Sequence, residues 1–130
     1  MFRAIFVFLI FQSASVANAN WTFLDGYQGT NHYINKLALI RSGHFVMISA
    51  LIDETTKRPF KDSAGVFSIH NIAEFNCLEK THRFLRWTYH AERMGKGTVL
   101  DSELVTGVRW NKIMDGSVMA MQFEIACKNS

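Results

Sequence analysis

Apolar and polar residues alternate with a period of two along most of this chain, which predicts strands whose successive side chains face opposite ways. Trp21–Asp25 opens the pattern, Gly26–Gly29 breaks it as a turn, and His32–Asn35 resumes it. Lys36–Ile40 fits either a helical turn or a strand edge before Ser42-Gly43 interrupts. His44–Asp53 (HFVMISALID) is apolar on both faces, so it belongs in the middle of a sheet and needs cover above and below. Residues 53–63 are polar and hold the only proline, Pro59, as in an exposed hairpin loop.

Ala64–Cys77 then aligns Phe67, Ile69, Ala73, Phe75 and Cys77 on one face, leaving Ser68, His70, Glu74 and Asn76 for a face expected to meet water. In Thr81–Ala91 strict alternation turns Arg83, Leu85, Trp87 and Tyr89 inward and His82, Phe84, Arg86, Thr88 and His90 outward. Met94–Gly97 is expected to be a flexible turn leading into a last strand at Thr98–Val105. The tail differs. VMAMQFEIAC, residues 118–127, follows a capping residue, Ser117 or Asp115, and its methionines and alanines favour a helix. Met119, Met121, Phe123 and Ile125 also alternate, so a strand competes there.

The start of the chain sets the compartment. Arg3, the apolar run Ala4–Phe11 and the small residues Ala17 and Ala19 match a signal peptide over residues 1–19, with residues 20–130 as the mature domain. The apolar run falls short of the roughly 20 residues that span a bilayer, so no transmembrane segment is expected in the mature form. Asn20 stands where a lipoprotein needs cysteine. In an exported protein the two cysteines, Cys77 and Cys127, are expected to pair. Closing that loop stabilises the fold by about 4 kcal/mol on the chain-entropy model. If the tail is a helix, the bond ties it across the sheet and supplies one of the covers His44–Asp53 requires.

Losing Arg3 with the leader lowers the formal charge of +3 to about +2, too little to argue for nucleic acid. Local clusters matter more: Lys57, Arg58 and Lys61 in the loop, then Lys80, Arg83, Arg86, Arg93 and Lys96. No paired carboxylates, nucleophile elbow or phosphate loop is present, since MGKG lacks the length and the Ser or Thr of a P-loop, and no enzyme is expected. The five histidines show no zinc spacing. Haem is the one cofactor the pattern leaves open, through His70, His82 and His90 on outward strand faces.

Cys77, Arg83, Tyr89, MGKG at 94–97, Trp110, Ser117 and Cys127 fall in an order that resembles the surface-adhesin protein E family of Gram-negative bacteria. Trp21, Tyr33-Ile34, Ile40, Gly43, the Val46–Asp53 strand and Ser63 extend the resemblance over nearly all of residues 21–127. It implies an α+β fold: a curved antiparallel sheet of about six strands, with a C-terminal helix on its concave face tethered by the disulfide. It also implies dimerisation, binding of host matrix proteins of the vitronectin and laminin type, and an association with haem. Two departures stand out: Asn20 cannot carry the family adhesin's lipid anchor, and KIMDG precedes Ser117 where many relatives have proline.

The expected binding face consists of Lys80, His82, Phe84, Arg86 and His90, with Arg93 and Lys96 in the following turn. Arginine and aromatic side chains are the usual anchors of protein interfaces, and basic groups steer acidic partners. Arg83, facing inward, is expected to pair with a carboxylate. The function so implied is an exported adhesin-like protein at the cell surface or in the periplasm. The alternative is a soluble periplasmic protein that binds a small ligand such as haem or supports the envelope.

Overall fold

A computed structural model describes residues 20–61, 65–107 and 109–128; the expected leader lies outside them. Among these residues eight strands form one antiparallel sheet: β1 (Thr22–Tyr27), β2 (Thr30–Ile34), β3 (Ile40–Ser42), β4 (Phe45–Arg58), β5 (Val66–Asn76), β6 (Thr81–His90), β7 (Val99–Leu104) and β8 (Asn111–Lys112). The main order is β1-β2-β4-β5-β6-β7, with β3 added beside β4 and β8 beside β6. A single-turn 3-10 helix at Lys36–Ala38 precedes β3, so the ambiguous LALI segment resolves into both of its candidates in succession. The α-helix α1 (Val118–Cys127) closes the chain.

The register of β4 against β5 sorts the sheet into two faces. Val46, Ile48 and Ala50 lie opposite Phe75, Ala73 and Asn71, while Leu51 and Asp53 lie opposite His70 and Ser68. Directly opposed residues of antiparallel strands share a face. The apolar members of the first set, with Ile34 of β2, form the main core under α1, which contributes Phe123 and Ala126. Phe75 and Phe123 meet edge to face with ring centroids 5.8 Å apart.

The competing strand reading of the tail loses because the segment is held as a helix at both ends. Ser117 Oγ accepts from Ala120 N–H at 3.1 Å, so of the two candidate caps, Ser117 and Asp115, it is Ser117 that serves. At the other end Arg41 of β3 donates to the Ala126 carbonyl at 2.7 Å, where a cation also complements the helix dipole. Cys77 and Cys127 are bonded with their Cα atoms 5.6 Å apart, so the expected staple exists and joins the end of β5 to the end of α1.

The second cover over β4 comes from an unexpected place. A turn at Arg93–Gly95 packs on the face away from the helix, against β4 and β5. Ser68, expected to meet water, is therefore fully buried, and its hydroxyl bridges Glu92 carbonyl and Gly95 N–H at 2.6 and 2.9 Å. Met94 N–H donates to Asp53 Oδ1 at 2.7 Å, and Arg93 grips Oδ2 through Nε and Nη2 at 3.1 and 2.7 Å. Met94 takes a left-handed backbone, with φ 57°. Far from flexible, the MGKG turn is pinned by two buried polar side chains.

Two element boundaries also move. β4 runs on to Arg58, so only its end belongs to the loop expected over 53–63, and Arg58 pairs with Val66 past a register shift. The chain also makes a further two-residue strand after the one expected to be last.

Candidate functional site

One irregularity rearranges the expected binding face. On β6, Ile72 of β5 faces Arg86 but the next residue, Ala73, faces Phe84; Leu85 is an extra residue, a β-bulge. Beyond it the alternation slips by one. His82 and Phe84 therefore turn to the helix face with Trp87 and Tyr89, whereas Arg83 joins Arg86, Thr88 and His90 on the opposite face. The seven residues expected on one surface are thus divided between two.

On the helix side, Phe84 packs against the core and stacks obliquely on Trp87, with centroids 4.6 Å apart. His82 makes edge contacts with Phe75 and Phe84, and its Nδ1 is buried without a hydrogen-bond partner among the described residues. Lys80 approaches Asp115 at 3.7 Å and sits 6.0 Å from the Phe123 ring, so it too belongs to the helix side.

The opposite face keeps an arginine-aromatic strip. Arg83 makes two contacts to Glu74 Oε1, from Nε at 3.0 Å and Nη2 at 2.7 Å, and its guanidinium lies 4.5 Å from the Trp110 ring. The expected carboxylate partner is found, though on the face away from the helix. Trp110 in turn contacts Phe45, a site residue that spacing in the sequence did not reveal. Further along, the Trp21 ring reaches His70 edge-on at 5.7 Å, Phe23 meets Tyr33 across β1 and β2, and Phe23 is 56% exposed. Arg86 stands between these groups. It is exposed, donates to Ser102 Oγ at 3.0 Å, and has no carboxylate partner among the described residues.

Arg93 and Lys96 differ in role. Arg93 is the buried Asp53 carboxylate's partner and so a structural pin, whereas Lys96, in the next position but two, is exposed. The loop cations are likewise engaged: Arg58 pairs with Glu54 at 2.9 Å, Lys61 with Asp101 at 2.6 Å, and Lys57 lies 5.3 Å from the Phe67 ring.

Burial lowers the pKa of His32, His70, His82 and His90; for His70 the neighbouring His90 adds to this, and for His32 the carboxylates of Asp25 and Glu54 oppose it. A lowered native pKa means that the unfolded chain binds more protons just below the ordinary value of about 6.5. Stability contributed by these rings is complete above that value and falls as pH drops through the window beneath it. Thermal melts from pH 7 to pH 5 are expected to show a falling midpoint, and His82→Phe, which keeps the ring packing, should flatten that slope. An unchanged slope in His82→Phe would remove this ring from the acid sensitivity.

The trio His70, His82 and His90 does not form one outward set, because the bulge places His82 across the sheet from the other two. His70 Nε2 is hydrogen-bonded to Ser49 Oγ. Among the described residues no group of three or more His, Cys, Asp or Glu side chains is placed to hold a metal ion.

Among the described residues the site is built on one open sheet, backed on one side by a stapled helix and presenting arginine and aromatic rings on the other. Residues 21–128 match the family model of surface-adhesin protein E, and the chain belongs to that family. The fold is shared with Haemophilus influenzae protein E: one crystal structure matches with a TM-score of 0.62 at 15% identity, covering 85% of each chain. A second crystal form matches with the same TM-score at 14% identity, covering 81% of this chain and 91% of that one. Comparison with curated proteins returns no match. Membership in a surface-adhesin family implies an exported protein, and among the described residues no helix is long and apolar enough to cross a membrane.

Proposed function

We propose that this protein is an exported adhesin-like module that binds host matrix proteins of the vitronectin and laminin type through the sheet face opposite α1. The observation that carries the proposal is Arg86: an exposed guanidinium without a carboxylate partner among the described residues, on the same face as the Arg83–Trp110 stack. Such a group attracts an acidic segment, and the neighbouring rings supply area that needs little ordering to bind. Lys96 adds charge in the turn that packs on this face's far end.

The expected result of Arg86→Ala is a loss of vitronectin and laminin affinity of roughly tenfold, the scale of an interface hot spot. The loss should shrink at high salt, because exposed charges are screened. Affinity unchanged at both low and high salt, in a variant that melts like the parent, would rule this face out. Lys80→Ala, on the helix side, serves as the comparison that should leave binding intact.

A further inference from the structure

The helix side holds a second feature, independent of the adhesin surface because the sheet separates them. Under the first turn of α1 is a narrow cleft of about 110 Å³, walled by Phe84, Trp87 and Met119 and floored by Asn71. Asn71 is only 5% exposed, and its Oδ1 has no hydrogen-bond donor within reach among the described residues. Gln122, also 5% exposed, lines the same cleft. A buried carbonyl acceptor among aromatic walls costs free energy until an N–H or O–H reaches it.

The cleft adjoins a wider recess of about 410 Å³, and His32 and Val118 line both. The recess is polar. Asp25 stands in its wall, and no cation is paired with that carboxylate among the described residues. Arg58, in the same wall, is occupied by Glu54 and by Thr30 Oγ1 at 3.0 Å. Burial lowers the pKa of His32 in the same wall, against the opposing pull of Asp25 and Glu54. The recess therefore favours a cation, while the cleft favours a ring that ends in a donor.

An apolar cavity of about 150 Å³ accepts benzene. The narrower cleft here holds most of one ring, with the remainder extending into the recess. We propose that this pair of cavities is a binding site for a small phenolic amine, its hydroxyl donating to Asn71 Oδ1 and its ammonium facing Asp25.

Three probes separate the parts of this claim: tyramine, phenethylamine without the hydroxyl, and 3-(4-hydroxyphenyl)propionate with the opposite charge. Titrated into ¹⁵N-labelled protein, tyramine is expected to shift the amides of Asn71, Met119 and Gln122. It should bind about fivefold more tightly than phenethylamine, the scale of one net hydrogen bond, and more tightly than the carboxylate. Asn71→Leu should abolish the preference for the hydroxyl, and Asp25→Asn the preference for the amine. Met119→Trp, which fills the cleft from the helix, should abolish the shifts even if Asn71→Leu fails to fold. Equal binding of tyramine and phenethylamine, or no shifts at millimolar tyramine, overturns the proposal. Neither result bears on vitronectin or laminin binding, which is read from the other face.

Discussion

Removing the disulfide with the double replacement Cys77→Ala and Cys127→Ala is expected to lower the unfolding free energy by about 4 kcal/mol and the melting temperature by on the order of 10–20 °C. The size follows from the sequence separation of 50 residues that the bond closes. Without it the unfolded chain regains the freedom of that whole loop, which contains β6 to β8 and nearly all of α1. The native helix keeps its other attachments: Phe123 and Ala126 in the core and the Arg41 contact to the Ala126 carbonyl. The variant should therefore still fold at low temperature, with a cooperative but earlier transition. Reducing the parent protein must reproduce the variant's midpoint. If thiol reduction leaves the melt of the parent unchanged, the bond does not hold the helix down.

Asp53→Ala is expected to cost about 2–3 kcal/mol, because it strips a buried acceptor from a backbone N–H and a guanidinium together. Asp53 is completely buried on β4, and both of its oxygens are used: one by Met94 N–H, the other by Arg93. The turn they hold packs against β4 and β5 on that face, where Leu51 is nearly fully buried. Losing the carboxylate should free the turn before the domain unfolds. Amide exchange at Met94 and Gly95 should accelerate well beyond that of β4. Asp53→Asn retains one acceptor and is expected to fall between the parent and Asp53→Ala. Exchange at Met94 and Gly95 that stays as slow as in the parent would show that the turn is held by something other than Asp53.

The two residues that organise that turn illustrate what spacing along the chain conceals. Glycines at 95 and 97 announce a turn, and polar residues around it suggest exposure. Its anchors lie 40 residues away at Asp53 and 27 away at Ser68, and nothing near either position marks it as a partner. Alternation even assigned Ser68 to water. In isolation β5 does have a polar face there; only the folding back of Glu92–Gly95 onto it turns a solvated hydroxyl into a buried bridge.

The face proposed for binding was legible in its residue types but not in its membership. Arginine and aromatic residues do concentrate on β6, and Arg86 lies on the face predicted to be outward relative to the helix. His82 and Phe84 do not, because Leu85 bulges. A bulge adds one residue to one strand of a pair, and no glycine marks this one; the signal exists only in the pairing with Ile72 and Ala73. Trp110 escaped for a related reason. It lies just before the two-residue β8 that pairs with β6, where it contacts the Arg83 guanidinium and the Phe45 ring, and a strand that short shows no periodicity in the sequence.

The chain by itself determined most of the strands and the cysteine pair and favoured the capped helix at its end, because period, capping and oxidation are properties of local sequence and compartment. Tertiary structure alone decided which side chains share a face and which turn seals the far side of β4. Those outcomes depend on register, and register is set by the fit of strands that meet from distant parts of the chain.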